Sequence, residues 1–158
     1  MIKIVTKEDF YMFEIKMNAV EFSISGDAIL ECFHQFIDDY DDEEIDVYGY
    51  FDTNNDLIGL IRFSEEPVDY LFNNLQNSAR SSITLIGALF VHPRYRKQGI
   101  GKRLVKFAIS RARTEDIVSD PVDLEASNFF KYNGFSHDNK FGDLDGWLLY
   151  ISKPSLQI

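Results

Sequence analysis

The spacing of apolar positions changes along the chain from two-residue alternation to helical repeats and back, which predicts strands and helices in one mixed fold. Ile2–Val5 predicts a short first strand. Aromatic and β-branched runs at Val47–Phe51 and Leu57–Phe63 flank the polar cluster Asp52–Asp56, a pattern typical of a strand-turn-strand hairpin. Ile83–Val91 is apolar on both alternating faces, which indicates a central strand that is covered on both sides.

Helical spacing is clearest after the glycines near residue 100, where apolar residues recur three and four positions apart. That stripe consists of Ile100, Leu104, Phe107, Ala108 and Ala112. Helices are also predicted at 7–18 and 26–37. A shorter helix is predicted at 127–133, with Ser127 as its N-cap and Gly134 as its C-terminal cap.

The remaining segments complete a single mixed sheet. Residues 64–82 are polar and predict a long, partly helical excursion. Strands are predicted at Pro121–Leu124, from Phe135 onward, and at Trp147–Ile151. This order favours an α/β (α+β) fold with helices on both faces of the sheet. No linker divides the chain, so residues 1–158 are expected to form one domain.

The composition indicates a protein that stays in solution in a reducing compartment. Hydrophobic residues make up 45% of the chain, and no apolar run approaches the roughly 18 residues of a membrane span. The N-terminus lacks a signal-peptide core, and the single cysteine, Cys32, has no internal disulfide partner. Cys32 lies in an apolar helical pattern, which favours a packed thiol over a nucleophile. A cytoplasmic protein without a membrane partner is therefore expected.

Charge is unevenly distributed along a chain whose formal net charge is -10. Residues 38–46 are almost all acidic, which indicates either a solvated loop or a rim that attracts a cationic substrate. Residues 94–113, by contrast, concentrate the positive charge. An acidic chain with one basic segment argues against general binding of nucleic acid and favours one small anionic ligand.

The segment around Gly99 and Gly101 is a strand-loop-helix junction suited to a phosphate. The first turn of a helix leaves about four N–H groups without partners, and the helix dipole adds about half a positive charge there. The dinucleotide fingerprint needs a third glycine where Leu104 stands. The P-loop needs a glycine at Arg96 and a Ser/Thr at Arg103, so both common phosphate motifs fail.

Two stretches carry a resemblance to a known family. Arg96–Gly101, which reads RKQGIG, resembles the pyrophosphate loop Arg/Gln-x-x-Gly-x-Gly/Ala of the GCN5-related N-acetyltransferase (GNAT) family. Ala126–Phe135, which reads ASNFFKYNGF, is similar to that family's alanine, aromatic pair and Gly-Phe. The resemblance implies a mostly antiparallel central sheet with a splayed central strand pair. It also implies acetyl-CoA as the acyl donor and transfer to an amine.

The resemblance assigns cofactor contacts to residues of this chain. It implies that the strand end carries the pantetheine arm, that the loop holds the pyrophosphate, and that the short helix borders the arm. These residues are Leu89, Phe90 and Val91; Arg96, Lys97, Gln98, Gly99, Ile100, Gly101 and Lys102; and Asn128, Phe129 and Phe130. No metal is implied. Dimers are common in the family, and the sequence leaves the oligomeric state open.

The sequence leaves the proton-transfer groups unassigned. Family members often carry a tyrosine, the acid for the thiolate, where this chain has Phe130. The candidates for the base remain open: Glu65, Glu66, Asp69, Glu125, His92, His34 or a chain of waters. The expected acceptor is a cationic amine such as a polyamine, an aminoglycoside, a lysine or an N-terminal amine. The alternative hypothesis is a GNAT-shaped module that binds acyl-CoA without transferring the acyl group.

Overall fold

A computed structural model describes residues 1–6, 8–9, 12, 45–75 and 81–153 of the chain. Its strands are β1 (Ile2–Ile4), β2 (Ile45–Phe51), β3 (Leu57–Pro67), β4 (Ser82–Val91), β5 (Asp116–Ser119) and β6 (Leu149–Ser152). Its α-helices are α1 (Ile100–Arg111) and α2 (Leu124–Tyr132). Short 3₁₀ turns occupy Val68–Tyr70 and Pro93–Tyr95. No described helix has the length and apolar character that a bilayer crossing requires.

The described strands form one six-stranded sheet in which the order in space follows the order in the chain. β1 and β2 are antiparallel, as are β5 and β6, whereas β4 and β5 are parallel. Parallel neighbours need a crossover connection, which α1 supplies. The predicted α/β class, with a mixed and mostly antiparallel sheet, is confirmed.

The chain divides into two compact units. The first unit comprises Met1–Arg62 and Ala88–Lys106, and the second comprises Phe63–Gly87 and Phe107–Ile158. β3, β4 and α1 each pass from one unit to the other along the chain.

In the first unit, the predicted hairpin of β2 and β3 is confirmed. Its turn is organised by Asp52, whose carboxylate accepts hydrogen bonds from the N–H groups of Asn54 and Asp56, each at 2.9 Å. Asn55 has a φ of 62°, which asparagine tolerates better than most residues. The Asp/Asn cluster that marked the turn in the sequence therefore makes the hydrogen bonds of that turn.

The start of α1 lies close to β3 because one residue of that strand has no side chain. A Cβ atom placed on Gly59 would lie 3.1 Å from Leu104 Cδ1 and 3.2 Å from Ile100 Cγ2. Such a distance is tighter than normal packing, so glycine permits this approach. Ile100 and Leu104 are 5% and 0% exposed, and they hold the first turn of α1 against the sheet.

The second unit has its own apolar core, in which the 3₁₀ turn Val68–Tyr70 and the loop between α2 and β6 pack against β4, β5 and β6. The buried members are Val68, Phe72, Ile83, Val118, Phe141 and Tyr150. The Tyr150 hydroxyl donates a 2.5 Å hydrogen bond to Asp116 Oδ1, and Lys140 Nζ lies 3.0 Å from Asp116 Oδ2. Burial is the main cause that raises the pKa of Tyr150 to about 12, and the hydrogen bond to Asp116 adds to it.

Two predicted strands near the C-terminus are wrong. The strand expected at Pro121–Leu124 lies one segment earlier, as β5, and β5 starts at an aspartate because Asp116 is paired with Tyr150 and Lys140. Pro121 cannot donate to a ladder and follows the end of that strand. The strand expected from Phe135 is reduced to a single bridge between Ser136 and Tyr150.

The second helix was also placed too late. α2 begins at Leu124, and its N-cap is Asp123, whose carboxylate accepts a 2.8 Å hydrogen bond from the N–H of Ala126. Ser127, the predicted cap, is buried inside the helix. The C-terminal cap is confirmed, since Gly134 has a φ of 95° just beyond the last turn.

Other expectations fall partly or wholly outside the described residues. The excursion predicted at 64–82 begins instead as a continuation of β3 to Pro67. The helices predicted at 7–18 and 26–37 fall mostly or entirely outside the described residues, as do Cys32 and most of the acidic run.

Candidate functional site

The end of β4 forms one border of the candidate site, in the first unit. The N–H of His92 donates a 2.8 Å hydrogen bond to the carbonyl of Ile58, so β4 stays beside β3 to its last residue. Leu89 and Val91 are half-buried, and Phe90 is buried. The main chain of this strand end is therefore held in an extended conformation by its neighbour.

Arg96 ties the loop back to the strand that precedes it. Its Nε donates a 3.1 Å hydrogen bond to the carbonyl of Val91, and its guanidinium lies 5.9 Å from the centre of the Phe90 ring. The sequence suggested Arg96 as one of the cations around an anion. Its contacts show that it also sets the path of the loop.

The loop itself has two residues in the left-handed region. Lys97 has a φ of 61° and Gly99 a φ of 80°, a conformation that glycine adopts without strain. A Cβ atom at Gly99 would meet nothing within 4 Å. Gly99 is thus required by its backbone conformation, and the open space above it leaves room for a ligand to approach the main chain.

The first turn of α1 presents main-chain donors beside this opening. The first hydrogen bond of the helix runs from the N–H of Arg103 to the carbonyl of Gly99, at 3.1 Å. The N–H groups of Ile100, Gly101 and Lys102 precede that bond and so have no acceptor within the helix. An anion placed there would receive these hydrogen bonds and the field of the helix dipole together.

Arg103 is held on the side of the helix that faces β2. Its Nη1 donates a 2.8 Å hydrogen bond to the Tyr50 hydroxyl, and both residues line a cleft of about 500 Å³ in the first unit. Gln98 and Tyr95 also line this cleft. Arg103 is therefore engaged with the sheet although it is exposed, and Lys97 and Lys102 are exposed as well.

The remaining predicted contacts lie on α2, in the second unit. Asn128 is exposed and Phe129 is half-buried. Phe130 is 4% exposed, and its ring makes edge contacts with Phe129 and Phe135 at centroid distances of 5.3 and 5.1 Å. The side chain at the position of the family's tyrosine is thus part of an aromatic cluster.

The candidates for a base have different surroundings. His92 is buried, and its Nδ1 accepts a 3.2 Å hydrogen bond from the N–H of Arg94, so that nitrogen serves as a cap of the 3₁₀ turn. Glu66 accepts a 2.9 Å hydrogen bond from the Ser64 hydroxyl. Three candidates are exposed: Glu65, Asp69 and Glu125. His34 lies outside the described residues.

The sequence reading missed two polar residues at the end of β5. The last registered pair between β4 and β5 joins Ile86 to Ser119, and the N–H of Asp120 then donates a 3.1 Å hydrogen bond to the carbonyl of Ile86. Ser119 is fully buried, and its hydroxyl has no hydrogen-bond partner in the described part of the chain. In the sequence these residues stand directly before Pro121, which marks the end of a strand. They were not recognised as strand-end residues because the strand was predicted at Pro121–Leu124 and not at Asp116–Ser119.

The described ranges contain no group of three or more His, Cys, Asp or Glu side chains able to hold a metal ion. The donors that the site offers are main-chain N–H groups and cations, and both suit an anionic ligand.

Comparison with known proteins identifies the family of this chain. The Acetyltransferase (GNAT) family matches residues 11–135, and the chain belongs to that family. No curated protein sequence matches the chain.

Solved structures of low sequence identity share the fold. AtaTR bound with AcCoA has a TM-score of 0.69 and 13% identity over 96% of this chain and 92% of its own. AtaT complexed with acetyl-methionyl-tRNAfMet has a TM-score of 0.65 and 13% identity over 96% and 94%. Aminoglycoside 6'-N-acetyltransferase AAC(6')-IG from Acinetobacter haemolyticus has a TM-score of 0.55 and 18% identity over 89% and 93%.

Proposed function

We propose that this protein is an acetyl-CoA-dependent N-acetyltransferase that moves an acetyl group from the thioester to a primary amine. The observation that carries the proposal is the start of α1, where three main-chain N–H groups and an open, left-handed Gly99 lie together. Membership of the family supplies the expected donor, and one structure of similar fold, AtaTR, was solved with AcCoA.

In this proposal the pyrophosphate lies against residues 96–102. The N–H groups of Ile100, Gly101 and Lys102 donate to it, and the exposed cations Lys97 and Lys102 add charge around it. Arg96 holds the loop in place through the carbonyl of Val91. A side chain at Gly99 would occupy the space that the phosphate oxygens need.

The pantetheine arm is proposed to follow the end of β4, with Leu89, Phe90 and Val91 offering main-chain groups to it. In this proposal the arm runs from the loop back along β4 toward Gly87, at about 3.3 Å per residue. A main-chain N–H on this strand can polarise the thioester carbonyl as negative charge develops on its oxygen. Asn128, Phe129 and Phe130 of α2 are proposed to border the arm.

The acceptor is proposed to be a primary amine that is cationic before it reacts. The net charge of -10 favours the approach of a cation. Two structures of similar fold suggest acceptor classes to test, since one is an aminoglycoside 6'-N-acetyltransferase and the other holds acetyl-methionyl-tRNAfMet. General binding of nucleic acid is not part of the proposal, and a cytoplasmic location is proposed with it.

The competing candidate is an acyl-CoA-binding module with little or no transferase activity. Phe130 favours it, because a phenylalanine cannot protonate the departing thiolate and its ring is packed among other aromatic rings. The thiolate of CoA is a tolerable leaving group, so the missing hydroxyl does not exclude turnover.

One experiment in two stages tests the proposal. Calorimetric titration with acetyl-CoA should give saturable binding to the protein. Release of free CoA thiol is then measured with spermidine, kanamycin, a lysine-containing peptide and methionyl-tRNA as acceptors. Turnover with at least one amine supports the transferase, whereas tight binding without thiol release from any of them supports the binding module. Absence of acetyl-CoA binding would contradict both.

A further inference from the structure

The end of β5 places one carboxylate where the parallel pairing of the sheet stops. Ile86 and Ser119 form the last registered pair, and the N–H of Asp120 closes the ladder on the carbonyl of Ile86. β4 continues beyond this point to Val91, whereas β5 ends at Ser119. On the β5 side, Asp120 is therefore the first residue beyond the paired part of these two strands.

The main chain of Asp120 is fixed on both sides. Its own N–H is bound to Ile86 at 3.1 Å, and the next residue is Pro121, which is buried and has no N–H to continue a ladder. A residue held in this way projects its side chain from a defined position, which is what a group that handles protons requires.

The surroundings of Asp120 suit a proton acceptor. Asp120 is exposed as a residue, yet the loss of water around its carboxyl raises the pKa of that group above its ordinary value. In the described part of the chain no cation forms an ion pair with it.

We propose that Asp120 accepts the proton of the incoming ammonium and so delivers a neutral amine to the thioester. This inference rests on the proposed transferase function, which puts the thioester on β4 near the end of the paired strands. Asp120 takes one proton, directly or through one water, and the nitrogen lone pair attacks the carbonyl carbon. The C–N bond forms, the C–S bond breaks, and sulfur leaves with the bonding electrons. A second proton from nitrogen passes through solvent to the thiolate.

The test compares Asp120 variants with the amine of the panel that turns over fastest. Asp120→Asn keeps the shape and removes the proton-accepting oxygen, so kcat should fall about 100-fold. The Kd for acetyl-CoA should stay within about twofold of the parent value, because the loss lies in chemistry and not in cofactor binding. Asp120→Glu should recover a substantial part of kcat. In Asp120→Ala, added formate should raise kcat with concentration.

Asp138→Asn and Asp138→Ala serve as matched controls. Asp138 is an exposed aspartate of the second unit whose N–H donates to the Ser136 hydroxyl. These variants should keep the parent kcat and show no response to formate.

Two results would overturn the inference, and they differ from failure of the proposed function. If the parent transfers acetyl groups and Asp120→Asn matches its kcat, Asp120 is not the proton acceptor. If Asp120→Asn loses kcat together with acetyl-CoA binding and formate restores nothing in Asp120→Ala, the residue has a structural role. If no amine of the panel is acetylated, the transferase proposal fails and this inference fails with it.

Discussion

At the scale of single residues, Gly99 shows how one position combines a backbone requirement with a functional proposal. Its φ of 80° strains any residue with a Cβ, and the space above it is empty of protein atoms within 4 Å. Asparagine tolerates the left-handed region better than other residues with a side chain. Gly99 can therefore be replaced by asparagine or aspartate, two side chains of nearly equal size that differ in charge.

We expect Gly99→Asp to bind acetyl-CoA at least about tenfold more weakly than Gly99→Asn. A carboxylate beside a pyrophosphate adds like-charge repulsion. A repulsion of about 1.4 kcal/mol raises the dissociation constant tenfold. Calorimetric titration of both variants measures the difference, which should shrink as salt is added. Equal affinities in the two variants, both close to that of the parent, would show that the pyrophosphate does not bind at this loop.

Residue-scale chemistry was partly readable from the sequence. The glycines, Arg96 and the Phe at position 130 could be identified because they stand at fixed offsets within short motifs. The roles of Arg103, which donates to Tyr50, and of Asp120, which closes the β4–β5 ladder, could not. These roles depend on residues that are distant in the sequence, and no local pattern records such pairings.

At the scale of elements, α2 illustrates why a helix start is hard to locate. Ser127 was predicted as the N-cap, but Asp123 is an equally good cap residue and is the one that caps the helix. Leu124 is 60% exposed, and an exposed apolar first residue gives no amphipathic signal. The strands of the hairpin and the long helix α1 were predicted well because their apolar periods are long and uninterrupted.

We expect Asp123→Ala to lower the free energy of unfolding by about 1 kcal/mol, because the N–H of Ala126 loses its side-chain acceptor. Asp123→Asn keeps an acceptor oxygen and should stay within a few tenths of a kcal/mol of the parent. Urea titrations followed by circular dichroism measure both. Identical midpoints for the two variants would mean that the cap does not contribute to stability.

At the scale of the whole molecule, stability should depend on pH at the alkaline end through Tyr150. The folded protein holds the Tyr150 proton up to a pKa of about 12, whereas an unfolded tyrosine releases it near 10. Between these values the unfolded chain binds fewer protons than the folded one, so the free energy of unfolding falls as pH rises. The stabilising contribution of this group is complete below about pH 10 and is lost through pH 12.

The measurement that isolates this effect is the difference between the parent and Tyr150→Phe. Both proteins contain other groups that titrate at these pH values, and the contributions of those that are distant from Tyr150 cancel in the difference. Urea midpoints between pH 9 and 12 should fall more steeply for the parent than for the variant. Parallel curves would contradict the assignment of the raised pKa to Tyr150.

The division of the chain into two units has a consequence for synthesis on the ribosome. Each unit is assembled from two stretches that are separated in the sequence, since Met1–Arg62 is completed by Ala88–Lys106. A nascent chain released up to Arg62 therefore lacks the end of β4 and the loop that follows it. The first unit must wait until Lys106 has emerged, and by then part of the second unit has already left the exit tunnel. Neither unit can be obtained as one contiguous fragment.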